Sequence, residues 1–176
     1  MFKKIVFTSL ISMMSAASFA ERPASLKQDN STYVSTGTTY VGASTGIPLS
    51  SGEAVSGDIF AGHGKTFGSS QRFYLGGEIN AGVNHFKSQY DWPSATTYSL
   101  GASIIPGIML TPTVMAYGRA GLNMSKYKNH VWLGQVFGLG LQKDLNKNWG
   151  VRGEYTLSSN IATQGQASLG LTYKLD

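Results

Sequence analysis

The chain has 176 residues, a formal charge of +5 and no cysteine. The missing cysteines exclude disulfide bridges and thiolate metal sites, and the basic residues are too scattered for a nucleic-acid-binding patch. With 22 glycines, 13% charged residues and a mean hydropathy of −0.08, the chain is too polar for a helical membrane protein. It suits a β-barrel whose strands alternate between an apolar and a polar face.

The first twenty residues have the pattern of a secretory signal peptide. A basic start precedes an apolar run over Ile5–Met14 and a cleavage motif of small residues. The run is too short for a transmembrane helix, which needs roughly 18 apolar residues. We therefore predict export from the cytoplasm, with cleavage between Ala20 and Glu21.

Residue alternation and turn motifs predict eight strands and no helix. In the third strand Leu75, Ile79 and Val83 fall on one face, and Glu78 and Asn80 on the other. Short strands separated by turn residues are typical of an antiparallel meander. The predicted strands are 38–46, 56–66, 72–86, 96–109, 114–124, 131–145, 149–158 and 166–175, with the facing of the second strand undecided. The predicted organisation is a signal peptide at 1–20, a periplasmic lead-in at 21–37 and an outer-membrane barrel at 38–176.

The last predicted strand places Leu169, Leu171, Tyr173 and Leu175 on one face, and small or polar residues on the other. Each predicted strand reaches roughly the 9–11 residues that cross a bilayer at a tilt. We therefore predict an all-β fold, an eight-stranded antiparallel up-and-down transmembrane β-barrel, in which strand eight pairs with strand one near Val41. A soluble, secreted ligand-binding barrel is the alternative, although glycine on the polar face argues against a solvated surface.

The predicted connections alternate between short turns and longer links at 47–55, 87–95, 125–130 and 159–165, as in outer-membrane barrels. Pro106 has no amide hydrogen for a strand ladder, so it is predicted to mark a bulge. Aromatic residues near strand ends are predicted to lie at the headgroup level: Tyr40, Phe73, Phe86, Tyr90, Trp92, Tyr98, Tyr127, Trp132, Trp149 and Tyr173. Tyr90 and Trp92 could instead form an adhesive or phage-receptor surface.

Several segments resemble the outer-membrane protein A-like barrels. Pro106–Gly121 is similar to strands four and five of that family, Gly138–Tyr155 to strands six and seven, Tyr74–Glu78 to strand three and Tyr40–Ser44 to strand one. The resemblance implies an eight-stranded meander in the outer membrane of a Gram-negative bacterium, in contact with lipid and lipopolysaccharide. The chain is expected to depart from the family in having the barrel domain only, without the peptidoglycan-binding domain, because the sequence stops after strand eight.

The resemblance implies a charged network inside the barrel. A family Glu on strand three and a family Arg on strand seven correspond to Glu78 and Arg152, with Arg119 and Glu154 nearby. All four lie on the polar faces of their predicted strands. Buried charges cost several kcal/mol unless they are paired. Two acids and two bases are therefore expected to form a structural plug, with a gate that exchanges partners as the alternative.

The resemblance also implies that the closing strand is part of the signal read by the barrel-assembly machinery. In the family the last residue is usually aromatic, whereas this chain ends in Leu175-Asp176. The recognised residues are therefore expected to be Leu171, Tyr173 and Leu175.

No enzyme or cofactor motif meets its structural requirement in this sequence. Gly42-Ala-Ser-Thr-Gly46 matches G-x-S-x-G but no predicted helix follows, and Gly64-Lys-Thr66 lacks the first glycine of a phosphate loop. The three histidines are too far apart for metal-ligand spacing. We predict a non-catalytic barrel without cofactor or metal, in a structural or surface-interaction role such as envelope integrity or adhesion, with possible host or phage contacts through its loops. A lipid A-modifying outer-membrane enzyme is the alternative.

Overall fold

The computed structural model describes residues 37–49, 53–68, 70–87, 95–127, 130–159 and 164–175, and these form a closed barrel of eight antiparallel strands. The strands are β1 Thr38–Pro48, β2 Glu53–Phe67, β3 Phe73–Lys87, β4 Ala95–Thr111, β5 Val114–Tyr127, β6 His130–Asp144, β7 Trp149–Ser158 and β8 Gln164–Lys174. Each strand pairs with its neighbours in chain order, so the predicted eight-stranded up-and-down barrel is confirmed. Within the described residues no helix is long and apolar enough to cross a membrane.

The apolar faces of the strands point away from the barrel axis. On β3, Leu75, Ile79 and Val83 are exposed, whereas Tyr74 and Glu78 are buried inside. The same alternation on the other strands covers the outside with large apolar side chains. A soluble monomer rarely exposes apolar patches larger than a few hundred Å². The alternative of a soluble ligand-binding barrel required these apolar residues to face inward. In the structure they face outward, which contradicts that alternative.

Strand β8 closes the barrel against β1. Val41 lies opposite Tyr173 and Ala43 opposite Leu171, which confirms the predicted pairing. The Leu175 amide also donates to the Thr39 carbonyl at 2.9 Å. Every strand therefore has two neighbours, and no row of unpaired backbone groups meets the surroundings of the barrel. We call the rim at Thr38 and Lys174 the terminal end, and the rim at Pro48 and Gln164 the loop end.

Five of the eight strands, β1, β2, β4, β5 and β8, are longer than predicted. β5 extends to Tyr127 and β6 begins at His130, so most of the predicted link at 125–130 is strand, and the alternation of long and short connections is weaker than expected. Hydrogen-bonded pairing simply continues past the turn residues. The predicted signal peptide with its cleavage at Ala20 and Glu21, and the lead-in as far as residue 36, lie outside the described residues and stay predictions.

Predictions about three local positions, Pro106, Tyr40 and Trp132, are wrong. The register shift of β4 falls between Met109 and Thr111 rather than at Pro106, where pairing with β5 is interrupted without a change of register. Tyr40 belongs to the lumen rather than the headgroup level, since it is only 8% exposed. Trp132 lies opposite Ser125, which is buried in the lumen. It is therefore on the lumen-facing side of β6, at the loop end, rather than on the side that meets lipid.

The other aromatic residues that were predicted at the headgroup level and that the structure describes lie on the outer face near the ends of the barrel: Phe73, Tyr98, Trp149 and Tyr173. Trp149 packs edge-on against Tyr173 with ring centroids 5.0 Å apart, and Phe73 stacks on Phe67 at 5.9 Å, both at the terminal end. Tyr98 is exposed near the loop end. Tyr90 and Trp92, and the side chains of Phe86 and Tyr127, lie outside the described part of the chain.

Candidate functional site

The inward alternation of three strands brings four charged side chains together near the middle of the lumen. Glu78 comes from β3, Arg119 from β5, and Arg152 and Glu154 from β7, and all four are buried. Each lies opposite a glycine on a neighbouring strand: Gly62, Gly138, Gly170 and Gly140, respectively. Because these positions carry no side chain, the narrow lumen has room for the long charged groups.

The two arginines each contact both glutamates. Arg152 holds Glu78 through two nitrogens, with Nη1 2.7 Å from Oε2 and Nη2 3.1 Å from Oε1. Arg119 donates from Nη2 to Oε1 of the same carboxylate, and its Nε lies 2.8 Å from Glu154 Oε1 in an ion pair. That N–H does not point at the oxygen, so the contact is not a hydrogen bond. Arg152 Nη2 lies 3.3 Å from Glu154 Oε2. The set is neutral, as buried charges must be to avoid a large desolvation cost.

Aromatic side chains surround this network. Tyr40 donates a hydrogen bond to Glu78 Oε2 at 3.1 Å, and Tyr117 donates to Glu154 Oε2 at 2.6 Å. The guanidinium carbon of Arg152 lies 3.9 Å from the centre of the Phe60 ring, a cation–π contact. None of these three aromatic residues was predicted as a partner of the network. Tyr40 could have been found, because the outward assignment of Val41 requires its neighbour to point inward.

An apolar cluster fills the lumen between the network and the terminal end. Its members are all buried: Tyr74, Ile105, Met109, Met115 and Tyr117. At the rim itself, Lys174 Nζ lies 2.5 Å from Asp144 Oδ2, and both side chains are buried. On the loop side of the network, by contrast, the lumen contains a polar pocket of about 90 Å³. The two halves of the lumen therefore differ in both packing and polarity.

The remaining candidate motifs form no second site among the described residues. Ser44 of Gly42-Ala-Ser-Thr-Gly46 lies in β1 and lines the lumen pocket, and the next element is another strand. No group of three or more His, Asp or Glu side chains in the described ranges could hold a metal ion. His63 and His85 instead contact threonines on adjacent strands.

Removing the buried hydroxyl of Tyr117 measures how much the aromatic partners contribute to the stability of the barrel. Tyr117→Phe removes the donor to Glu154, and we expect the free energy of unfolding to fall by about 1.5–3 kcal/mol, as for a hydrogen bond to a charged group. Urea unfolding of the refolded barrel in detergent micelles measures this. The control is Tyr98→Phe on the outer face, which should change stability by less than about 0.5 kcal/mol. Equal effects for the two variants would contradict the network geometry.

No protein-family model matches the chain, and no curated protein matches it in sequence. Solved structures do match. Ail, the attachment invasion locus protein of Yersinia pestis, solved with the heparin analogue sucrose octasulfate, is 14% identical, with 79% of this chain and 97% of that chain covered and a TM-score of 0.57. Neisserial surface protein A is 19% identical, with 79% and 97% covered and a TM-score of 0.56.

The chain has the fold of the small outer-membrane β-barrels. A third match is the outer membrane enzyme PagL, 14% identical, with 77% of this chain and 97% of that chain covered and a TM-score of 0.50. The matched proteins thus include an attachment invasion locus protein and an enzyme. Because the same fold occurs in proteins with different functions, the fold alone does not show which function this chain has. The function must be argued from the site.

Proposed function

We propose that this chain is a small barrel of a Gram-negative outer membrane with a structural or surface-interaction role, in envelope integrity or adhesion, and without catalysis. The observation that carries the proposal is the closed lumen. Among the described residues, the neutral network of Glu78, Arg119, Arg152 and Glu154 fills the middle of the lumen and the apolar cluster fills its terminal half. A barrel of this kind acts through its outer face and its loops.

The outer face supports insertion into lipid. Its exposed side chains between the aromatic residues of the two ends are aliphatic on most strands, including Ile59, Ile79, Ile104, Leu122 and Leu139. Trp149 and Tyr173 at one end and Tyr98 at the other fit the headgroup level of a bilayer. The partners of this surface are membrane lipid and, in the outer leaflet, lipopolysaccharide.

The closing strand supports a role in biogenesis. Leu171, Tyr173 and Leu175 point outward from the strand that seals the barrel, where they are accessible before closure. We propose that the barrel-assembly machinery reads these three residues after signal-peptide-dependent export. Tyr173 also packs against Trp149 of β7, so the same side chain contributes to the finished barrel.

The packing of the lumen favours a structural plug over a gate. A gate would need the arginines to exchange partners and open a path, but each arginine already contacts both carboxylates. Moreover, Tyr74, Met109 and Met115 would still fill the lumen on the terminal side. Rearranging the charges alone would therefore not create a continuous aqueous channel.

Membrane insertion has a direct test. The chain, expressed in a Gram-negative host, should fractionate with the outer membrane and migrate differently in detergent gels before and after boiling, because strand closure resists detergent at room temperature. Recovery as a soluble protein without detergent would refute the membrane assignment. The enzyme alternative predicts an altered lipid A mass in cells that express the chain, and we expect lipid A to be unchanged.

A further inference from the structure

The loop-side half of the lumen contains the pocket of about 90 Å³. Its floor is the charged network, and its walls carry hydroxyl and amide groups, among them Ser44, Asn80, Ser99, Asn123 and Ser158. A space of this size is large enough for several water molecules or for a small solvated ion. Because the network and the apolar cluster close the other side, the pocket can be reached only from the loop end.

The charges in the lumen do not balance at this pocket. The four network charges cancel, and Lys174 cancels Asp144. This leaves Asp58, which also lines the pocket. Among the described residues no cationic group lies within 4.0 Å of its carboxylate. The Gln166 side chain interacts with this carboxyl group, and Arg119 and Arg152 attract it electrostatically from the network. Both arginines are already paired with the two glutamates.

Asp58 is held where it faces the pocket. It lies opposite Gly82 of β3 and Ser44 of β1. A Cβ atom at Gly82 would come within 2.9 Å of both Asp58 Cγ and Ser99 Oγ. The carboxyl group therefore occupies the space above this glycine, next to the Ser99 hydroxyl. Asp58 is partly buried, and a carboxylate that is largely removed from water is costly to ionise unless a positive charge compensates it.

Two oxygen atoms of the same pocket also lack partners. Asn123 Oδ1 and Ser158 Oγ are buried and form no hydrogen bond within the described structure. An amide oxygen can only accept a hydrogen bond or coordinate a cation. The pocket thus combines an unpaired negative charge with unused oxygen ligands, which are the donors that hard cations prefer.

We propose that the loop-side lumen pocket is a binding site for a small inorganic cation, such as sodium, that is coordinated by oxygen atoms. The cation enters from the loop end, compensates the charge of Asp58, and receives further coordination from Asn123, Ser158 and water. A bulky cation such as tetraethylammonium is excluded by the size of the pocket.

The test uses the full barrel, refolded in zwitterionic micelles at pH 7, and compares wild type with Asp58→Asn. Urea unfolding is measured in sodium chloride and in tetraethylammonium chloride of equal ionic strength. At a sodium concentration about ten times the Kd for sodium, we expect the unfolding midpoint of wild type to be higher in sodium chloride than in tetraethylammonium chloride by about 0.5 M urea or more. In Asp58→Asn this increment should be lost. Asn84→Ser changes the pocket wall without removing the charge and should retain it.

Two results would overturn the proposal. One is a wild-type midpoint that is the same in both salts, which would mean that Asp58 is protonated or left uncompensated. The other is a sodium increment that persists in Asp58→Asn, which would place any bound ion elsewhere. If Asp58→Asn does not fold, the NMR signals of the Asn123 carboxamide in wild type provide the test, since they should shift on addition of sodium but not of tetraethylammonium. The site lies inside the barrel, so neither readout depends on the role proposed for the outer surface.

Discussion

Replacing Glu78 with alanine is expected to lower the free energy of unfolding by about 3–5 kcal/mol, the typical cost of removing one partner from a buried ion pair. Arg152 loses its two-nitrogen contact, Arg119 loses one of its two carboxylates, and Tyr40 loses its acceptor. The network of Arg119, Arg152 and Glu154 then carries a net positive charge. Urea unfolding of the refolded variant measures the loss of stability.

The double variant Glu78→Ala/Arg152→Ala separates charge imbalance from lost packing. It leaves Arg119 paired with Glu154 at 2.8 Å, so the remaining charges of the network cancel. We expect its destabilisation to be smaller than the sum of the two single effects by roughly 1–3 kcal/mol. Additive effects would mean that the charges are not coupled across the lumen.

The same Glu78→Ala variant distinguishes the plug from the gate. Planar-bilayer conductance should stay low, because Tyr74, Met109 and Met115 still close the terminal half of the lumen. Frequent large openings in this variant, absent from wild type, would instead favour a gate that is held shut by Glu78. The conductance measurement thus gives information that the unfolding experiment cannot.

Placing arginine at Leu139 is expected to cost about 2–4 kcal/mol, or to prevent insertion, if the outer face meets the middle of a bilayer. Leu139 is 73% exposed on the outer face of β6. An exposed leucine on a water-soluble protein would accept arginine with a change of less than about 0.5 kcal/mol. The variant therefore measures the medium around the barrel, through refolding yield and urea unfolding in phospholipid vesicles.

The matched control for this prediction lies on the same strand and the same face. Val131 is exposed at the loop end of β6 and lies next to Lys126 of β5, close to the level of Tyr98. Val131→Arg should cost only about 0–1 kcal/mol, because a charge near the interface reaches water. If the two arginines cost the same, the depth profile of a membrane barrel is absent and the outer face does not span a bilayer.

Much of the fold could be predicted because strand alternation is a local property. The outward direction of Leu75, Ile79 and Val83 follows from a period of two along the chain, and so does the inward direction of Glu78. Strand ends were less predictable: turn residues near 125–130 suggested a loop, yet β5 and β6 continue to pair as far as Tyr127 and His130. Pairing depends on the partner strand, which no single segment contains.

The uncharged residues of the lumen were harder to predict than the charged ones. The four charged residues stand out in a sequence with few charges, whereas Phe60 lay on a strand whose facing the sequence left undecided. Met109 and Met115 are equally suited to lipid and to a core, and only the register of β4 and β5 places them inside. Tyr40 was assigned by its closeness to a strand end, although its neighbours already implied that it points inward.

By itself, the sequence determined which residues share a face and that the eight strands follow one another as a meander, because both are local properties of an alternating chain. Only the tertiary structure decided which side chains meet across the lumen. Glu78 and Arg152 are separated by 74 positions, and they come within 2.7 Å because eight strands close at one particular stagger. The lone charge of Asp58 could be recognised only once every other lumen charge had been assigned its partner.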